Sequence, residues 1–121
     1  MEPIGLINSI YCIEVEMTFL PKVEGGRNTV PSPLSGCEYR PHIVLGDPNQ
    51  RRPVLKGNLI DEEMLGVCFL SGPGGIEFNR PFIAELGLIY WPNDLYNDVV
   101  SGATFTMREG GTIIGFGEVL R

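Results

Sequence analysis

Residues 11–20 alternate strictly between apolar and polar positions. Tyr11, Ile13, Val15, Met17 and Phe19 fall on one side, with Cys12, Glu14, Glu16 and Thr18 on the other. A period of two is the mark of a half-buried β-strand, because successive side chains of a strand point to opposite faces. Pro21 ends the strand, since proline cannot donate to a ladder. Residues 81–91 repeat the pattern, with Phe82, Ala84, Leu86, Leu88 and Tyr90 on one side and Glu85 and Gly87 opposite. Pro92-Asn93-Asp94 closes this second alternating run. Residues 103–108 and 112–120 predict a hairpin across Glu109-Gly110-Gly111. On its second strand Ile114, Phe116 and Leu120 share a face. Gly115 and Gly117 sit opposite, where a barrel bend or a close backbone approach needs them.

Between these runs the signals are weaker. Residues 21–38, with Gly25, Gly26, Pro31, Pro33 and Gly36, predict a long loop. Tyr39 to Leu45 reads as a strand, followed by the turn Gly46-Asp47-Pro48-Asn49-Gln50. Residues 53–60 are a weak strand. Asp61-Glu62-Glu63-Met64 fits one helical turn or an acidic corner. Leu65 to Leu70 is a short buried strand without alternation, broken by Ser71-Gly72-Pro73-Gly74-Gly75. Residues 93–102 form a polar connection. No stretch has the period of a long amphipathic helix. Six or seven short strands with frequent turns predict an all-β domain, a closed antiparallel barrel or a sandwich.

Composition narrows the picture. At 121 residues the chain is one domain, residues 1–121, with 1–9 as an N-terminal lead-in. Its 16 Gly and 10 Pro read as turns, because 43% hydrophobic content is enough to bury a core. The net charge is −6, and apart from Arg51-Arg52 no basic block stands out. That balance argues against non-specific binding to nucleic acid or an anionic membrane, both of which need clustered cations. Cys12, Cys37 and Cys68 cannot all pair internally, and with a single histidine, His42, a zinc site has few ligands to draw on. Free thiols in a reducing cytosol are the expectation. The acidic start lacks the basic flank of a secretory signal, and no apolar run approaches membrane-span length. A soluble cytoplasmic protein follows, with no cofactor expected.

Two Gly-Gly loops carry the most specific signal: Glu24-Gly25-Gly26-Arg27-Asn28-Thr29 and Arg108-Glu109-Gly110-Gly111-Thr112. Such loops can present backbone N–H groups to phosphate. Alone such loops are more often simple turns, since glycine tolerates positive φ. With Tyr39-Arg40-Pro41-His42 between them, and with Ile13 to Pro21 and Phe105 to Gly117 around them, the chain resembles the third, C-terminal domain of bacterial elongation factor Tu over roughly residues 10–120. The resemblance implies a closed six-stranded antiparallel barrel. It also implies contacts to the T-stem of aminoacyl-tRNA, to a GTPase domain and to a nucleotide-exchange factor. By position the T-stem role would fall on Arg27, Asn28, Thr29, Gly110 and Gly111. Asn28 stands where the family has a histidine, Thr112 where it has an arginine and Ile83 where it has a lysine. Those losses, in an acidic chain, disfavour tRNA.

Other candidates are less specific. Arg40 could meet phosphate or a partner carboxylate, and a structural ion pair is the simpler role. Arg108 and Glu109 could form a mutual surface pair. Glu62-Glu63 reads as a solvated acidic face. A Cys–His dyad with His42 has no supporting motif. Tyr90, Trp91 and Tyr96 are either interface anchors or core and rim packing. No nucleotide-hydrolysis motif is present. The expectation is therefore a non-catalytic binding module, not an enzyme, that engages a protein partner, with the translation apparatus as a candidate source of that partner. Its candidate contact residues are Arg27, Asn28, Thr29, Arg40, Arg108, Gly110 and Gly111. A tRNA-binding module and a small enzyme with a barrel-end pocket are the alternatives. Oligomeric state stays open.

Overall fold

The computed structural model describes Leu6–Ile7 and residues 10–121. The lead-in proposed for 1–9 lies mostly outside them. Among the described residues nine strands follow in chain order: β1 Leu6–Ile7, β2 Ile10–Phe19, β3 His42–Leu45, β4 Leu55–Lys56, β5 Leu59–Ile60, β6 Leu65–Ser71, β7 Phe82–Leu88, β8 Thr104–Glu109 and β9 Thr112–Val119. Among the described residues the only helical turns are two short 3-10 segments, Lys22–Glu24 and Asp94–Tyr96.

Six strands close an antiparallel barrel in the order β2-β7-β6-β3-β8-β9, with β9 returning to β2. β1 pairs antiparallel with the start of β2. Closure depends on the length of β2. Tyr11 to Met17 pair with β7, and Val15 to Phe19 pair with β9, so one strand serves two neighbours. The alternating runs fix this register. Ile13 faces Leu86, Val15 faces Ala84 and Met17 faces Phe82, which sends both apolar sets inward together. Phe19, Phe69, Phe105, Met17 and Met107 fill the interior at 0–1% exposure.

The barrel is tight where β9 meets β2. A Cβ on Gly117 would lie 2.4 Å from the Glu16 carbonyl oxygen, and one on Gly115 would lie 2.7 Å from that of Thr18. Both glycines are there because the backbones approach too closely for a side chain.

Several boundaries differ from the sequence reading. β3 begins after Pro41, whose missing N–H interrupts the ladder, although the carbonyls of Tyr39 and Pro41 still accept from Phe69 and Val67. The run 81–91 ends at Leu88, so Tyr90 leaves the apolar face and is exposed. Ile114 and Phe116 do not share a face. The β8–β9 register shifts between Met107 and Arg108 and skips Ile114, which joins the core while Phe116 stays partly exposed.

The weak strand at 53–60 is a separate ribbon, β4 paired only with β5. Residues 61–64 are not a helical turn; Asp61 and Glu63 are exposed, as an acidic corner would have them, but Glu62 turns inward to Arg108. β6 lacks alternation because both its faces are covered. Val67 and Phe69 point inward, Cys68 meets Cys37, and the Tyr90 ring lies over Gly66.

The free-thiol expectation is overturned for two of the three cysteines. Cys37 and Cys68 form a disulfide that spans 31 residues and ties the long loop to the barrel wall. Cys12 is free and buried.

Candidate functional site

The two Gly-Gly loops meet at one end of the barrel. The first turns through the 3-10 segment Lys22–Glu24 and is capped by Gly25 at φ +90°. Gly25 donates to the Lys22 carbonyl, Gly26 to that of Pro21 and Arg27 to that of Leu20. Gly26 has no alternative, since a Cβ there would sit 1.9 Å from the Leu20 carbonyl oxygen. The second loop is the two-residue turn Gly110-Gly111 between Glu109 and Thr112, with Gly110 at φ +57°.

Three side chains lock the loops together. The Arg27 guanidinium donates through Nη1 to Oε2 of Glu109, and the Tyr39 hydroxyl donates to the same oxygen. Arg27 Nε donates to the Thr29 carbonyl at 2.9 Å, and its guanidinium lies 5.4 Å from the Tyr39 ring centroid. The Tyr39 ring stacks on Phe69 of the core at 5.6 Å. Burial, then the hydrogen bond to Glu109, pushes the Tyr39 hydroxyl above its ordinary range, so it stays a donor. Around this clamp Lys22, Gly25, Asn28, Thr29, Glu109 and Thr112 line a shallow concavity of about 400 Å³.

The candidate residues separate into three groups. Arg27, Asn28, Thr29, Gly110 and Gly111 are brought to one end, and all but the half-buried Arg27 are exposed. Arg40 stands apart from the concavity lining. It is exposed, and its Nε donates to the Cys37 carbonyl at 2.8 Å; among the described residues it has no ion pair.

Arg108 is removed from the contact set. Its side chain is fully buried, and the expected surface pair with Glu109 does not form. Arg108 lies on the outer side of β8, next to Thr106, which accepts from its Nε at 2.9 Å. The segment carrying β4 and β5 ends at Glu62, whose oxygens accept from Nη1 at 2.8 Å and Nη2 at 3.1 Å. Glu62 also accepts from Gln50 Nε2 and from the Val54 N–H. The Arg108 hydrogen bonds, more than those from Gln50 and Val54, hold the Glu62 carboxyl down at about 2.

The remaining chemistry is structural. Cys12 donates from Sγ to Glu85 at 3.5 Å, and burial followed by that carboxylate pushes its thiol up to about 11, the opposite of an activated nucleophile. With the other two sulfurs joined to each other, Cys12 is the one thiol left for a Cys–His dyad, and its Sγ donates to Glu85 rather than to His42. Tyr96 is core: its hydroxyl donates to the Gly66 carbonyl at 2.7 Å. Trp91 is rim, stacked on Tyr11 at 4.2 Å.

Sequence reading missed Glu62, the disulfide and the exposed aliphatic side chains of the ribbon. The first two are long-range pairings that leave no local pattern. The third was visible as Arg51-Arg52 followed by Val54 and Leu55. No protein-family model and no curated protein matches the chain. Among the described residues no helix is long and apolar enough to cross a membrane.

Proposed function

We propose that this chain is a non-catalytic binding module that presents its two Gly-Gly loops to a protein partner, with the translation apparatus as the first place to look for one. The observation that carries this reading is the Arg27–Glu109–Tyr39 clamp. It fixes two loops of exposed backbone in one orientation, which lowers the ordering cost of a partner docking on them.

The same clamp weighs against tRNA. A phosphate-binding surface needs cations free to displace counterions. Here Arg27 is committed to Glu109 and Arg108 to Glu62, which leaves Lys22 as the cation lining the concavity. The Cys37–Cys68 bridge bears on where the module works, because such bonds persist in oxidising compartments and are rare in a reducing cytosol. A cytoplasmic role would require the pair to be reduced or protected there.

The test is affinity capture with the whole chain, alongside titration of labelled aminoacyl-tRNA and uncharged tRNA at low and moderate salt. Asn28→Trp and Gly111→Arg block the exposed loops without touching the clamp. A protein enriched by the parent chain and lost with both variants is the expected result. Salt-sensitive tRNA binding that disappears in Arg27→Ala would replace the protein reading with the RNA one. Capture of nothing above background would remove it.

A further inference from the structure

Residues 51–60 differ from the rest of the chain. They hold Arg51, Arg52 and Lys56, together with Val54, Leu55, Leu59 and Ile60, and no acid. One third of the nine Lys and Arg therefore lies in this stretch, while all 15 acids lie elsewhere. The segment forms the β4–β5 ribbon, in which Leu55 pairs with Ile60 and Lys56 with Leu59, and neither strand joins the barrel sheet. Val54 is 52% exposed, Leu55 55% and Leu59 75%. An isolated two-stranded ribbon is marginal by itself, and it leaves unpaired edges that can accept another strand.

This ribbon is nonetheless held in place. Glu62 accepts from the Val54 N–H at 2.9 Å and is itself gripped by buried Arg108. Asp61 donates its N–H to the Val54 carbonyl at 2.8 Å. A fixed element that keeps three large aliphatic side chains in water forgoes burial that a partner could supply. Among the described residues none of Arg51, Arg52 or Lys56 is in an ion pair; Arg51 donates to the carbonyls of Pro48 and Gln50 and lies 4.9 Å from the Phe116 ring centroid. The ribbon also adjoins the second Gly-Gly loop, since the Cβ position of Gly111 is 3.8 Å from Cδ1 of Ile60.

We propose that the β4–β5 ribbon docks an extended, acidic, aliphatic-rich segment of a protein partner. The proposal rests on the binding-module reading and names the chemistry of that module's partner. Charge complementarity selects the acid, the exposed Val and Leu select the aliphatic positions, and the open edges select an extended strand.

Other occupants fit less well. An anionic membrane presents charge over a wide area, and the rest of the chain holds six cations against 15 acids, so the body would be repelled. Single-stranded nucleic acid binds by stacking on aromatic rings, and the exposed side chains here are aliphatic. A second copy could offer the acidic outer wall around Glu16 and Glu118, yet those residues lie in β2 and β9, which pair with each other and have no free edge to add there. The exposed Tyr90 and Trp91 form another apolar patch, but no charge beside them is set apart to define a partner.

The experiment uses the whole chain and a labelled peptide of alternating Glu and Val, followed by fluorescence anisotropy at low and moderate salt. Peptides of alternating Lys and Val, and of alternating Glu and Gly, are the controls. The ribbon variants are Arg52→Glu/Lys56→Glu and Leu55→Ser/Leu59→Ser, all at exposed positions, with thermal melting to confirm that each folds. The expected result is saturable binding of the Glu-Val peptide alone, weakened by salt and by about tenfold or more in both ribbon variants. Binding lost in Asn28→Trp but kept in the ribbon variants would overturn the ribbon and leave the loop-based module standing. Absence of peptide binding would overturn it too. So would ribbon-dependent binding to phosphatidylserine vesicles or oligouridylate in preference to the peptide, or ribbon-dependent self-association in sedimentation.

Discussion

Arg108 and Glu62 are 46 residues apart in the chain and meet at 2.8 Å. The arginine is fully buried although it lies on the outer side of a barrel strand, and the segment between β3 and β6 supplies the carboxylate that pairs with it. One ion pair therefore does two jobs. It satisfies a buried cation, and it fixes the ribbon that carries the exposed aliphatic side chains.

Breaking that pair from one side leaves a buried, uncompensated charge. Glu62→Ala is expected to cost about 3–5 kcal/mol, whereas replacing both partners by apolar residues, as in Arg108→Met/Glu62→Leu, recovers most of the loss. Urea unfolding of the three proteins checks this. Equal stability of Glu62→Ala and the parent chain would mean that the pair does not hold the ribbon.

The same carboxylate sets an acid limit. Glu62 titrates at about 2 in the fold against an ordinary 4.5, so its folded form is the better acid. A depressed pKa contributes stability that is complete above the unfolded value and is lost as pH falls through the folded one. The contribution, about 3 kcal/mol, should fade from pH 4.5 down towards 2. Measured across that window, the parent chain should lose more stability than Arg108→Met/Glu62→Leu. Parallel pH profiles for the two would contradict it.

Thiol chemistry is equally direct. Under denaturing, non-reducing conditions one thiol, Cys12, should react with maleimide, and three should react after a dithiol reductant. Opening the bridge releases a loop of 31 residues and is expected to cost about 2–4 kcal/mol. Three reactive thiols without reductant would show that the pair is not formed in the purified protein.

The glycines give a graded comparison. Gly117→Ala puts a methyl group 2.4 Å from a backbone oxygen at the barrel seam, so β2 and β9 must separate. Gly110→Ala has open space around it and pays only for φ +57°, about 1 kcal/mol. Thermal melting should rank Gly117→Ala far below Gly110→Ala. The reverse order would mean that closure at the seam is looser than the backbone spacing implies.

What could be read in the sequence followed from period. The alternation of Ile13, Val15, Met17 and Phe19, and that of Ala84, Leu86 and Leu88, sets two strands and their register. Glu109-Gly110-Gly111-Thr112 sets the last hairpin. Period tells which side of a strand is apolar, but not what covers the other side. Arg108 therefore reads as a surface residue until Glu62 is placed against it, and Cys68 reads as a free thiol until Cys37 arrives. The skipped Ile114 is likewise invisible, because a bulge changes the phase without changing composition. The Gly-Gly loops were recognisable as candidates, yet their juxtaposition depends on Tyr39, Arg27 and Glu109 meeting across the fold.

The most direct measurement is site-specific photo-crosslinking in cells, with the photoreactive residue placed in turn at Asn28, Leu59 and Ile83. Asn28 marks the first Gly-Gly loop, Leu59 the ribbon, and Ile83 an exposed position on β7, a strand that carries neither. The same protein crosslinked from Asn28 and Leu59, and not from Ile83, is the predicted result. An adduct formed only from Ile83, or an RNA adduct from Asn28, would contradict a protein partner seated across the loops and the ribbon.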